Sequence, residues 1–214
     1  MSLDVSDPRA RELLLADPER IRRLAGFLGQ AAEQSGHASV GLRGAAQDVV
    51  WHGPAADTFR HAIAPMTRRL DGLHAGFRDA ATALAAYATQ LAHLQARDRP
   101  LATTLAALRA QLPIARNDAE IARQAVRLAL RTPGTPGSAL TSAAREAERA
   151  QHRLSELEDA LLRLRGRRHA LLNEFEDERS ACRARIAHAR RLAPEAALRG
   201  RLHDPIFAAW GPSA

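Results

Sequence analysis

Apolar residues recur along this chain at alternating steps of three and four, the spacing that lays one stripe on each helix and lets two helices close on one another. The first stripe runs from Ile21 through Leu24, Leu28, Ala31, Ser35, Ala38 and Leu42 to Val49. A second begins at Phe59, Ile63 and Met66, continues through Leu84, Tyr87, Leu91, Leu94 and Asp98, and holds its phase to Ala129. The third runs from Leu140 through Leu154, Leu161, Arg168 and Phe175 to Cys182. Aromatics are only 4% of the chain against 46% hydrophobic residues. The apolar mass is therefore mostly Ala and Leu, the strongest helix formers, and an all-α fold follows.

Position arithmetic ties the stripes together. In an antiparallel hairpin, facing residues have a constant index sum. Leu42 with Ile63, Ser35 with Leu70 and Leu28 with Phe77 all sum to 105, which centres the first turn on His52 and Gly53. Leu112 with Leu157, Ala115 with Leu154 and Ala122 with Ala147 sum to 269, which centres the second inside "TPGTPGS". The expected architecture is an elongated pair of tandem antiparallel, coiled-coil-like helical hairpins sharing one long central helix. The domains are then 1–99, with its turn at 51–54; 100–192, with its loop at 132–138; and a tail at 193–214.

Asp17-Pro18-Glu19 has the form of a helix start, with an Asp cap, Pro in the first turn and an acid beside it. Pro100 and Pro113 each remove a helical hydrogen bond, yet the stripe keeps its phase across both. The spacing predicts a helix over about 54–131, bent at one or both prolines, with a true break at Pro100 as the alternative. At 1.5 Å per residue such a helix is on the order of 110 Å long. The shared register also brings the level of Arg185 to that of Leu84, so that 186–192 could lie beside 22–28.

Catalytic chemistry is not written here. There is no glycine-rich phosphate loop, no His-Glu-x-x-His helix and no clustered cysteine, so no catalytic residue, metal or cofactor is expected. The nine histidines are dispersed. The acidic run "NEFEDERSACR" reads as a salt-bridged helix surface. Cys182, in the seam opposite Tyr87, reads as a buried thiol. All 31 basic residues are arginine against 24 acids, a formal charge of +7. "RLRGRRH" and the stretch from Arg179 to Arg201 lack interleaved aromatics, so nucleic-acid binding is permitted by charge but not indicated. No run is long and apolar enough to span a membrane, and the N-terminal stretch does not read as a cleavable signal peptide. Ile206, Phe207 and Trp210 make the tail an apolar cluster that folds back on a hairpin end or docks on a partner.

"DPERIRRLAGFLGQAAE", "WHGPAADTFR" and "LAAYATQL" together span about residues 17–95, with Trp51 and Gly53 at the computed turn. This region resembles the Trp-x-Gly (WXG) hairpin family of type VII secretion substrates, in the form found at the N-terminus of larger actinobacterial secreted proteins. The resemblance implies a non-enzymatic hairpin that pairs with another helical hairpin protein as a homo- or heterodimer. It further implies export, without a signal peptide, by a membrane secretion ATPase, with Trp51 and Gly53 as recognition residues. The family's export signal often places an acid four residues after a Tyr. Here Leu91 follows Tyr87 at that spacing, so either the partner supplies the acid or this chain binds a protein that is exported. The alternative is a cytoplasmic coiled-coil scaffold binding protein or nucleic acid through its arginine faces.

Overall fold

The structure is a computed structural model that describes residues 7–48 and 52–192. Four α-helices follow one another: α1 (Pro8–Leu15), α2 (Pro18–Gln47), α3 (Pro54–Arg131) and α4 (Gly137–Leu192). Among the described residues there is no strand, and the chain is all-α as its stripes predict.

Both early helices start on an Asp-Pro pair. Asp17 Oδ1 accepts from Glu19 N at 2.9 Å and Arg20 N at 3.1 Å, supplying partners to donors that the first helical turn leaves open. Asp7 does the same for α1, accepting from Arg9 N at 2.9 Å. α1 is not among the elements expected from the stripes, although "SDPRARELLL" carries the same start signal as "ADPER".

α3 runs unbroken for 78 residues with Pro65, Pro100 and Pro113 inside it, so the break at Pro100 is not found. Packing explains the tolerance. Asp98, Ala102 and Leu105 are all buried around Pro100, and this burial offsets the hydrogen bond that the ring removes. Gly134, at φ 83°, turns the chain between α3 and α4. α4 begins at Gly137, slightly earlier than the expected end of the loop.

Two compact units make up the described chain. One gathers 7–16 with 93–176; the other gathers 17–48, 52–92 and 177–192. α1 thus groups with the C-terminal part of α3, and the end of α4 with α2 and the N-terminal part of α3.

In the first unit the α3–α4 seam has the register of the 269 sum. Ala119, Ala122, Ala150 and Leu154 form a buried cluster with Leu112, Ala115 and Ala147 against it. The alanines among them keep the helices close, which suits the near absence of aromatics. α1 buries Ala10 and Leu13 completely in the same unit.

In the second unit α2 lies antiparallel to α3, but its buried line is Ala25, Ala32 and Ser39. The expected stripe is rotated: Ala38 and Ala45 are exposed, while Leu24, Leu28 and Leu42 only flank the contact. The reason is close approach. A Cβ at Gly36 would meet His74 Nδ1 at 3.0 Å, and that nitrogen donates to Ala32 O at 2.8 Å. Small residues admit the imidazole, and polar contacts then fix the register. Ser39 Oγ donates to Asp71 Oδ1 at 2.6 Å, and Arg43 pairs with the other carboxylate oxygen.

The Ser39 hydroxyl foremost, then the Arg43 and His74 charges, hold the Asp71 carboxyl below its ordinary range against a smaller opposing effect of burial. A carboxyl depressed on folding adds stability that is complete above its unfolded value and lost as pH falls through the folded one. Between about pH 6 and about pH 3, the urea midpoint of the native chain should therefore fall more than that of an Asp71→Asn variant. Equal falls would mean that this contact carries no pH dependence.

Candidate functional site

The turn between α2 and α3 is the feature that sequence and fold both single out. α2 closes with Asp48 N donating to Gly44 O at 2.9 Å. Gly53 has φ 110°, a backbone state that a side chain at Cβ opposes, which accounts for glycine at this position. Its carbonyl accepts from Ala56 N at 3.0 Å and Asp57 N at 3.2 Å, opening α3, and Pro54 supplies the preset φ of a first helical residue. Asp57 lies in the first turn, where a carboxylate suits the positive end of the helix, and binds Arg60 Nη1 at 3.1 Å. His61 Nδ1 donates to Asp57 O at 2.7 Å and Thr58 Oγ1 to Pro54 O at 2.8 Å, so these two side chains are occupied within the first turns of α3. Trp51 lies outside the described residues; His52, Gly53 and Pro54 are exposed.

Beyond the turn, the apolar stripe of α3 divides. Ala56, Ile63 and Thr67 are buried, whereas Met66 is 52% exposed and Phe59 36% exposed. At 3.6 residues per turn, Phe59 and Met66 fall together on one flank of the buried line. The stripe places both in the seam, and the structure does not. The small residues of α2 rotate that seam toward Ala56 and Thr67, which leaves the larger side chains at its edge. Sequence periodicity carries both faces and does not rank them.

The other anticipated recognition residues lie elsewhere. Tyr87 is 5% exposed and Leu91 fully buried, both within the second unit and neither presented at a surface. Cys182 is buried there as well, with Sγ 3.8 Å from Ala83 O, one turn from the expected Tyr87. Its removal from water raises the thiol above its ordinary range, with Arg185 opposing and Glu178 adding to the effect. A raised thiol is held protonated and is a poor nucleophile. Ile206, Phe207 and Trp210 lie outside the described residues.

A polar cluster in the first unit goes beyond the sequence expectations. Asp98, on the stripe of α3, and Arg168, on that of α4, form a buried bidentate pair. Arg168 Nε donates to Asp98 Oδ1 at 2.8 Å and Nη2 to Oδ2 at 3.1 Å. Their side chains are 7% exposed for Arg168 and 0% for Asp98. Each is a polar residue in an apolar stripe, and the near-constant index sum is the signal that pairs them. Arg97 Nη1 binds Glu174 at 2.8 Å on the rim, and Gln95 donates to α1. The arrangement is a lock between helices.

Among the described residues no group of three or more His, Cys, Asp or Glu side chains could hold a metal ion, and no helix is long and apolar enough to cross a membrane. Comparison with protein-family models, with curated proteins and with solved structures finds no match to any of them.

Proposed function

We propose that this chain is a non-enzymatic helical protein associated with type VII secretion, acting either as an export-targeting module or as the adaptor of a secreted effector. Its partner is a second helical hairpin protein, in a homo- or heterodimer, and a membrane secretion ATPase drives export. The supporting observation is the turn itself. A Trp-x-Gly triplet stands where two antiparallel helices are joined, with Gly53 in the left-handed region and Phe59 and Met66 exposed on the helix that follows. An aromatic and a thioether beside an exposed turn suit a helix face of another protein, since aromatic and Met side chains are enriched at protein interfaces and the thioether adapts to an irregular surface.

The test is export and co-purification from a host carrying the secretion ATPase. Trp51→Ala, and Met66→Asp at a residue outside the buried core described above, should abolish export or partner capture while leaving the helix content of the chain unchanged. Unaltered export and partner capture in both variants, or export independent of the ATPase, would sink the reading; a native chain that is retained in the cytoplasm and captures no hairpin partner would favour the cytoplasmic scaffold.

A further inference from the structure

α1 is held as a ligand is held. Its eight residues bury Ala10 and Leu13 completely, one turn apart on one face. The amide of Gln95 then reads the C-terminal end of the helix, with Nε2 donating to Leu13 O at 2.8 Å and Ala16 O at 2.7 Å. These are carbonyls that a helix end leaves without internal partners, so Gln95 recognises a helix terminus from far away in sequence. At the other end Arg9, braced by Asp7, donates from Nη1 to Asn173 Oδ1 at 2.9 Å and lies 3.4 Å from His169 Nδ1. The groove therefore selects a short helix with an Arg near its start, apolar residues three apart and open carbonyls at its C-terminal end.

The attachment of α1 to the rest of the chain is slight. Ala16 and Asp17 both have extended backbone, at ψ 136° and 102°, and α2 begins at Pro18. Helices shorter than ~12–15 residues are marginal in water on their own, so α1 depends on its groove. Release opens only the contacts made by 7–16 and leaves the α3–α4 seam of the first unit in place.

We propose that this groove is an exchangeable helix-binding site: α1 fills it in cis, and α1 of a second copy of this chain fills it in trans. Only that occupant reproduces every contact. The same Leu13 and Ala16 carbonyls meet Gln95, and the same guanidinium meets Asn173, so exchange changes connectivity and not chemistry.

Two full-length copies, both in a Cys182→Ser background, test this. One carries Arg9→Cys and a tag; the other carries Asn173→Cys and a different tag. A short bismaleimide joins them only where α1 of the first lies in the groove of the second. At high protein concentration a mixed cross-linked dimer should form. The cis helix competes at an effective concentration on the order of millimolar, so disabling it in the acceptor with Leu13→Asp should raise the yield about tenfold. Adding Leu13→Asp to the donor instead should remove the product. No mixed product with an acceptor of unchanged helix content overturns the proposal, as does a yield indifferent to Leu13 of the donor. Should Leu13→Asp lower the helix content of the acceptor, Leu13→Ala takes its place, again with a rise expected from the change in the acceptor and a loss from the change in the donor.

Discussion

Asp98→Ala should lower the stability of the chain by about 3–5 kcal/mol, read as a shift of the urea midpoint at unchanged slope. The carboxylate is fully buried and accepts twice from Arg168, itself 7% exposed. Removing it leaves a guanidinium in the seam without its bidentate counter-charge, and Arg cannot shed its proton in response. The same reasoning separates breaking the pair from replacing it. Desolvating two charges costs nearly as much as their attraction returns, so Asp98→Leu with Arg168→Met should lie within about 1–2 kcal/mol of the native chain. What the pair contributes is register, because sliding α4 along α3 by one turn would bury each charge against aliphatic side chains. A loss below about 1 kcal/mol for Asp98→Ala would show that water reaches the pair and that the seam is held by its alanines and leucines alone.

Leu91→Ala should cost about 2–5 kcal/mol, the range for deleting a fully buried leucine and leaving a cavity. This bears directly on the proposed export reading, under which Tyr87 and Leu91 would stand at the positions of the Tyr and the acid of the export signal. Both are core residues of the second unit. Impaired export of Leu91→Ala should therefore track lost stability and recover in a chain stabilised elsewhere. Trp51→Ala, by contrast, should impair export at unchanged midpoint. If Leu91→Ala kept the native midpoint yet lost export, Leu91 would have to be read by a partner after local opening of the second unit.

How much of this is legible in the sequence differs by element. The α3–α4 register is legible near the loop, where Ala119, Ala122, Ala150 and Leu154 cluster as the 269 sum pairs them, and it drifts by one turn at Cys182, which meets Ala83 in place of Tyr87. The α2–α3 contact is legible in direction and not in face. Rotating α2 to its small residues costs little apolar burial, and what decides it is a tertiary contact, His74 over Gly36, that no periodicity encodes. α1 escapes the stripes because eight residues with one apolar run give too short a window for a period, although its Asp-Pro start is in view. The Gly53 turn is legible to the residue, since only glycine is at ease at its φ. Which side chains stay exposed beside it is not, for Phe59 and Met66 are as apolar as the Ile63 that is buried.

The division into units has a consequence for synthesis on the ribosome. Neither unit is contiguous: residues 17–92 are completed by 177–192, and α1 by a partner as late as Asn173. At about 5–20 residues per second, the first helices emerge on the order of ten seconds before the segments that complete them. Through that interval α1 has half of its groove at most, and the surface near Ala83 that meets Cys182 is open to the cell. A helical chain of local turns thus acquires a long-range folding order, in which the final helix closes both units and the nascent hairpin remains open to chaperones or neighbouring chains until it does.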